Sequence, residues 1–159
     1  MIRTFVINIL SLVLLPTLLS CEMIPDPIVT DLPEEEPVTM PAAIKITVSG
    51  KSLPVKIEDN VATRALVAAL REASITFEAH DYGGFEKVGG LGRTLPSSDS
   101  QMTTQPGDVI LYSGNQIVLF YGSNSWSYTR IGKMQYGTLD ELKTFLQAGK
   151  GTISVTLSL

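Results

Sequence analysis

Titratable side chains that could act on a bound ligand cluster in the stretch 80–93. His80 is the only histidine of the chain, and its place at the end of a predicted strand favours a hydrogen-bonded structural role over acid–base chemistry. Arg93 has two interpretations. Its guanidinium clamps a ligand carboxylate or stabilises developing charge, or it forms an ion pair with Asp81 or Glu86. We favour the ion pair.

Aromatic side chains lie in and after the same stretch. Tyr82 and Phe85 flank a pair of glycines, an arrangement that fits either a lid over a ligand or a structural turn. Trp126 and Tyr128 are two residues apart and share one face of a predicted strand, where they either form a recognition wall or pack into the interior. These four residues and Arg93 are candidates for a ligand groove.

Cofactor and metal motifs are absent from the sequence. One cysteine and one histidine exclude a cysteine-based zinc cluster and a multi-histidine metal site. Gly50-Lys51-Ser52 lacks the earlier glycine of a phosphate-binding loop, and Gly90-Leu91-Gly92 lacks the last glycine of a dinucleotide fingerprint. A nucleophile elbow is also missing, so we expect no cofactor, no metal and no catalytic triad.

Residues 1–20 have the features of a secretory signal peptide, with Arg3 before an apolar run over 5–15. The run is too short to span a bilayer comfortably, since a spanning helix needs about 20 apolar residues. The tetrad Leu18-Leu19-Ser20-Cys21 resembles a bacterial lipobox, in which the cysteine becomes the lipid-modified N-terminus. We therefore expect lipidation of Cys21 and anchoring to a membrane of the bacterial cell envelope, at the outer membrane or facing the periplasm.

Residues 21–43 are predicted to be an acidic, proline-rich linker and residues 44–159 a folded domain. Six of the 16 acidic residues and one of the 12 basic residues lie in 1–43, which leaves 10 acidic and 11 basic residues, a net charge of +1, in the domain. A nearly neutral domain without a basic stripe has no field to attract nucleic acid. We expect no nucleic-acid partner.

Alternation of apolar and polar residues predicts many short strands in the domain, over 44–48, 53–58, 74–82, 108–112, 116–121, 126–131 and 152–159. A helix is predicted from about Val61 to Arg71, capped by Asp59 or Asn60, and a second from Thr138 to near 149. Residues 83–96 are predicted to be a glycine-rich loop. Short strands with two helices favour a small, closed or nearly closed, mainly β barrel.

Several strings of this chain resemble the bacterial cyclophilin-like domain family over about residues 44–159. They are the run 46–70, the string Asp81-Tyr82-Gly83-Gly84-Phe85-Glu86-Lys87-Val88-Gly89, the step Gln105-Pro106-Gly107-Asp108 and the run 115–126. The resemblance implies a closed eight-stranded antiparallel barrel with two capping helices. Members of that family generally have no established activity, and a shared fold does not supply one.

True cyclophilins, the peptidyl-prolyl isomerases, differ from this sequence at their catalytic arginine. They carry this arginine in a Phe-x-Arg string, whereas this chain has Phe85-Glu86-Lys87 at the corresponding point of the sequence. The resemblance further implies that Gln116 precedes a pocket-lining strand, that Val118 replaces an aromatic residue of the enzymes, and that Trp126 is similar to their pocket-rim tryptophan. A weakened binding pocket without the catalytic group is expected.

We therefore expect a membrane-anchored, cyclophilin-like binding module for a small molecule or an extended peptide, without catalysis. The alternative is a weak peptidyl-prolyl isomerase of the cell envelope. A third hypothesis is a passive subunit of an envelope complex.

Overall fold

A computed structural model describes residues 39–159. The predicted signal peptide, the lipidation site Cys21 and the predicted linker as far as residue 38 lie outside the described residues. Within the described residues, Met40 packs against the core and the first strand starts at Ala43, just before the predicted start of the domain at residue 44. Within 39–159, no helix combines the length and the apolar character that crossing a bilayer requires.

The described chain contains nine strands and two helices. In chain order they are β1 (Ala43–Val48), β2 (Lys51–Ile57), α1 (Val61–Glu72), β3 (Ile75–Tyr82), β4 (Glu86–Gly90), β5 (Ser100–Thr103), β6 (Asp108–Tyr112), β7 (Gln116–Phe120), β8 (Ser125–Met134), α2 (Leu139–Phe145) and β9 (Ile153–Ser158).

Eight of the strands form a closed antiparallel barrel in the order β1-β9-β3-β4-β7-β6-β8-β2, with β2 returning to β1. Closure depends on the pairing of β2 with β8, in which Val55 lies opposite Met134 and Ile57 opposite Gly132. The ring of pairings leaves none of these eight strands as a free edge. The predicted closed eight-stranded, mainly β barrel with two helices is confirmed, with β5 as an extra strand that pairs with β8.

The sequence-based prediction is wrong at two strands, β4 and β5. The segment predicted to be a glycine-rich loop contains β4, and β5 was not predicted at all. The residues of β4, Glu-Lys-Val-Gly-Gly, show no apolar alternation, yet the strand is paired on both sides, with β3 and with β7. Backbone hydrogen bonds to a neighbouring strand on each side therefore stabilise β4, although its own sequence has little β propensity.

The interior of the barrel is filled by alternate residues of the strands, as a pleated strand requires. Ile46, Val55, Leu111 and Ile117 are fully buried there. Helix α1 adds Leu66 and its neighbours to this core, and α2 adds Leu142 and Leu146. Both helices therefore stabilise the barrel by burying one apolar face.

The helix boundaries follow from side-chain capping. Asn60 caps α1, since its Oδ1 accepts the Thr63 backbone N–H at 3.0 Å while its Nδ2 donates to the Arg130 carbonyl of β8 at 2.7 Å. The predicted capping box of α2 is confirmed between Thr138 and Glu141. Helix α2 ends at Phe145, before the turns that lead to residue 149, and is shorter than predicted.

Candidate functional site

Strand β4 presents two charged residues to opposite sides of the barrel wall. Lys87 points inward and is fully buried, whereas Glu86 and Val88 point outward. The Lys87 ammonium forms an ion pair with Asp81 at 2.9 Å and donates a hydrogen bond to the Gly151 carbonyl at 2.5 Å. The two neighbouring charges of β4 therefore do not neutralise each other.

Asp81 is the centre of the inward network. Its Oδ1 accepts the Tyr121 hydroxyl at 3.0 Å and the Gly149 N–H at 3.1 Å, and its Oδ2 accepts the Gly151 N–H at 2.8 Å. Burial alone would raise the pKa of Asp81, but the hydrogen bonds from Lys87, the two backbone amides and Tyr121 lower it to about 2. Both Asp81 oxygens accept hydrogen bonds from within the domain, so we assign this cluster a role in stabilising the fold.

A groove with a volume of about 500 Å³ lies on the outer wall, across β3, β4, β6, β7 and β8. It exists because alternate residues of β6 and β7 turn outward and form a second apolar cluster, separate from the interior core. The residues that line the groove are His80, Tyr82, Glu86, Val88, Gly89, Gly90, Tyr112, Gln116, Val118, Asn124, Trp126 and Tyr128. Such a cavity has the size of an ordinary small-molecule site.

Glu86 is the unusual residue of this groove. Its side chain lines the cavity, yet the residue is only 5% exposed, and its Oε2 has no hydrogen-bond partner among residues 39–159. Burial raises the pKa of Glu86 from 4.5 to about 7, because the charged form loses its hydration. Near neutral pH the carboxyl therefore exists in both protonation states.

Aromatic rings form the walls around Glu86. The Tyr112 and Tyr128 rings meet edge to face with centroids 5.9 Å apart, and Phe120 packs beneath Tyr128 in the same geometry at 5.8 Å. Tyr128 is held in place by Asn124, whose Nδ2 donates to its hydroxyl at 3.0 Å. Trp126 and Tyr82 are 56% and 62% exposed, so they form an accessible rim above a fixed floor.

The groove brings together five of the seven groove residues that the sequence suggested. Tyr82, Gln116, Val118, Trp126 and Tyr128 line it. Trp126 is exposed at the rim, whereas Tyr128 is buried in the wall. Of the two interpretations that the sequence left open, the recognition surface therefore fits Trp126 and the packing role fits Tyr128.

The other two suggested residues, Phe85 and Arg93, do not line the groove. Phe85 closes the tight turn between β3 and β4, stacks on Phe120 with centroids 6.3 Å apart and packs against Gly122. Arg93 is exposed on the segment after β4, beside a shallow cavity of about 300 Å³ that adjoins the groove, since Gly90 and Gln116 line both. The expected ion pair of Arg93 is wrong, because Lys87 is the partner of Asp81 and Glu86 has none.

Six further lining residues are not among the candidates that the sequence suggested: Glu86, Val88, Gly89, Gly90, Tyr112 and Asn124. His80 also lines the groove, as an exposed residue close to the end of β3. In the sequence, Glu86 could be noticed as an acidic residue in a short stretch bounded by the apolar Phe85 and Val88. The adjacent Lys87, however, makes the two charges look like an ordinary solvent-exposed pair.

A second cavity, of about 560 Å³, lies between the β1–β2 hairpin and α2. Its charged residues, Lys51, Asp140 and Glu141, are exposed, and Glu141 is committed to the capping box. Among the described residues, the buried side-chain atoms without partners are the Glu86 Oε2 and the Arg130 Nε, and neither lies in this cavity. The groove around Glu86 is therefore the better candidate site, although its volume is slightly smaller.

The comparisons agree with this architecture. The family model described as "Cyclophilin-like family" matches residues 46–158. The chain belongs to the cyclophilin-like family. A similar solved structure is the solution structure of a hypothetical protein from Archaeoglobus fulgidus, with a TM-score of 0.51 and 17% identity over 74% of this chain and 93% of that chain. No curated protein matches the chain.

In this cyclophilin-like domain the string Phe85-Glu86-Lys87 divides into three environments. Phe85 packs beneath the groove, Glu86 faces into it, and Lys87 points into the barrel. No arginine is among the residues that line the groove. Chemically, the arrangement offers a ligand one titratable carboxyl, the amides of Gln116 and Asn124, and aromatic surface.

Proposed function

We propose that this cyclophilin-like domain is a membrane-anchored binding module, whose groove on the outer barrel wall holds a small molecule or an extended peptide without catalysing a reaction. The observation that carries the proposal is the buried, unpartnered carboxyl of Glu86 in an aromatic-walled cavity. Buried polar groups in folded proteins are almost always satisfied, so an exception in a cavity points to a partner that arrives from outside.

The non-catalytic part of the proposal is supported by the charge of the groove. Prolyl isomerisation has a barrier of about 18–20 kcal/mol, and a positively charged donor over the prolyl amide helps to lower it. Here the outward residues of β4 are Glu86 and Val88, and Arg93 lines the adjoining shallow cavity instead of the groove. Measured with a proline-containing peptide in a protease-coupled assay, the domain should leave the uncatalysed rate unchanged.

Membrane attachment is supported by the sequence of the first 43 residues. The tetrad that ends at Cys21 supplies a lipidation site, and the acidic, proline-rich stretch after it supplies an extended spacer. Such a tether would hold the domain at the membrane and leave its groove accessible from the surrounding solution.

Binding can be measured directly, because Trp126 is the only tryptophan of the chain and stands at the rim of the groove. We would titrate the recombinant domain with a panel of amines, amides, carboxylates and proline-containing tetrapeptides, and follow Trp126 fluorescence. A saturable change with at least one class is the expected result. Flat titrations across the whole panel would contradict the proposal.

A pair of variants tests whether the signal comes from the groove. Gly90→Phe adds a ring at a lining position where a β-carbon meets nothing within 4 Å, and should obstruct the groove and abolish binding. Ser154→Phe adds the same ring at an exposed position of β9 outside the groove and should bind normally. In the isomerase assay, a rate enhancement that Gly90→Phe removes would instead establish the enzyme.

A further inference from the structure

We propose that the ligand of this groove is an organic ammonium ion, held by the Glu86 carboxylate within a cage formed by Tyr82, Tyr112, Trp126 and Tyr128. This inference rests on the proposed function and names the chemical class that the groove accepts. It is carried by the charge and the aromatic content of the lining residues.

The charge of the groove is unbalanced within the part of the chain that the structure describes. Glu86 is the one acidic residue among the lining residues, and its Oε2 accepts no hydrogen bond. The neighbouring cation, Lys87, is committed to Asp81 on the other side of the wall. A cation that enters the groove would therefore meet a carboxylate with no competing partner, and it would replace hydration that burial has removed.

The aromatic residues favour the same sign of charge. A tyrosine or tryptophan ring presents a negative face, which attracts an ammonium group most strongly where water is excluded. Tyr112 and Tyr128 are in edge-to-face contact, and the exposed Tyr82 and Trp126 line the open rim, where an occupant would contact them. Four rings around one acid form an arrangement that suits methylated or otherwise apolar ammonium groups.

Other ligand classes fit the groove less well. An anion would lie against a carboxylate and the negative faces of the rings, without an arginine or lysine in the lining to compensate. A neutral apolar molecule would fill the volume of about 500 Å³ but would leave the Glu86 oxygen unsatisfied. An ammonium ion satisfies both the acid and the rings.

Binding of a cation should also depend on the ionisation of Glu86. The groups that face or adjoin it are His80 and Tyr82 on β3, Lys87 beside it on β4, Tyr112 on β6, Tyr121 after β7 and Tyr128 on β8. The pKa values of Tyr121 and Tyr128 are raised by burial, so these two phenols stay neutral below pH 8. His80 also lines the groove, so its contribution to the pH dependence is tested with a variant.

The test uses Trp126 fluorescence with three probes of similar shape: benzyltrimethylammonium, whose charge does not change with pH, benzyl alcohol and benzoate. Benzyltrimethylammonium should bind at least tenfold more tightly than benzyl alcohol at pH 8, and benzoate should not bind. Its affinity should fall about tenfold for each pH unit below about 7, as Glu86 takes up a proton. His80→Gln should leave most of this dependence in place.

Glu86→Gln supplies the decisive variant because it keeps the shape of the side chain and removes its charge. It should abolish both the preference for the cation and the pH dependence, whereas Glu78→Gln, which removes an exposed charge of β3 outside the groove, should change neither. The wild-type pH series does not depend on whether either variant folds.

Three results would overturn the inference. Equal affinity for benzyl alcohol and benzyltrimethylammonium, with both signals removed by Gly90→Phe, would reject the ammonium ligand and leave the binding module standing. A cation preference that survives Glu86→Gln would reject the role of Glu86. Absence of binding by any probe or by the wider ligand panel would reject both the inference and the proposed function.

Discussion

The carboxyl of Glu86 lies where the protein supplies no donor for its Oε2 and little water reaches it. Such a group destabilises the native state, since its charged form is less favourable there than in the unfolded chain. A residue that weakens the fold while lining a cavity is typical of a site shaped for a ligand.

Glu86→Gln should therefore stabilise the domain at high pH. The folded pKa of about 7 exceeds the ordinary 4.5, so the penalty is absent below about pH 4.5, grows between pH 4.5 and 7, and is complete above 7. At about 1.4 kcal/mol per pKa unit it reaches about 3 kcal/mol. Urea unfolding at pH 5 and pH 8 should show wild type losing free energy of unfolding relative to Glu86→Gln as the pH rises. Parallel curves for the two proteins would contradict the assignment.

The buried pair of Lys87 and Asp81 should respond in the opposite direction. Asp81→Asn leaves a fully buried ammonium without its carboxylate, and we expect a loss of about 3–5 kcal/mol in the free energy of unfolding. Asp59→Asn breaks an exposed pair with Arg64 and should leave stability almost unchanged, which makes it the matched control.

The pH dependence of stability provides a second test of the ion pair between Lys87 and Asp81. Because the pKa of Asp81 is lowered to about 2 from 3.8, its stabilisation is present above about pH 3.8 and is lost as the pH falls through about 2. Acid unfolding of wild type should include this step, and that of Asp81→Asn should lack it. An acid transition that is identical in the two proteins would show that the ion pair does not contribute.

At the scale of the elements, β4 separates the interior network from the groove, and its two glycines have different reasons to be there. A β-carbon on Gly89 would lie 2.5 Å from the Glu78 carbonyl oxygen and 2.5 Å from the Phe77 ring, whereas one on Gly90 meets nothing within 4 Å. The first glycine permits close packing of β3 against β4. The second leaves the floor of the groove open.

Replacing each glycine by alanine should separate these roles. Gly89→Ala should cost about 1–3 kcal/mol, because backbone and ring must shift, whereas Gly90→Ala should be neutral or stabilise by up to about 1 kcal/mol through the unfolded state. Thermal unfolding followed by circular dichroism measures both. Equal melting temperatures for the two variants would show that the close approach at Gly89 is not limiting.

The accuracy of prediction also differs between elements, for physical reasons. Strands β6 and β7 are apolar after their first residues, Asp108 and Gln116, and could be predicted almost to the residue, because one face fills the barrel and the other the outer cluster. Strand β4 could not, since its stability comes from pairing with β7, which is distant in sequence, and from the ion pair of its Lys87 with Asp81 of β3. The polar β5 depends on pairing with β8 alone.

The candidate site was predictable only in part for the same reason. Tyr82, Trp126 and Tyr128 could be chosen as aromatics on short strands, and five of the seven suggested groove residues do line one cavity. Glu86 could not be chosen, because its direction is set by the register of β4, in which it lies opposite Tyr82 and Phe120. Alternation along an unpredicted strand decides which of two adjacent charges faces the ligand.

At the scale of the whole molecule, charge is divided between the domain and the segment that precedes it. Residues 44–159 carry a net charge near +1, while residues 22–43 contain six acidic residues and no basic ones. The expected extended spacer would keep a nearly neutral domain away from an anionic membrane surface, because its like charges repel both one another and the lipid headgroups. The groove would then remain accessible from the surrounding solution.

Attachment itself should depend on Cys21 rather than on the spacer. A single acyl chain binds a membrane only marginally and two chains bind it stably, so the diacylglyceryl group that the lipobox resemblance implies would suffice. Expressed in a bacterial host, the full-length protein should sediment with membranes and yield an N-terminal peptide with diacylglyceryl on Cys21 by mass spectrometry. Cys21→Ser should appear in the soluble fraction or as uncleaved precursor, and Glu34→Gln, a change within the spacer, should remain membrane-bound. An unmodified Cys21 in a protein that still sediments would show that a different feature anchors the chain.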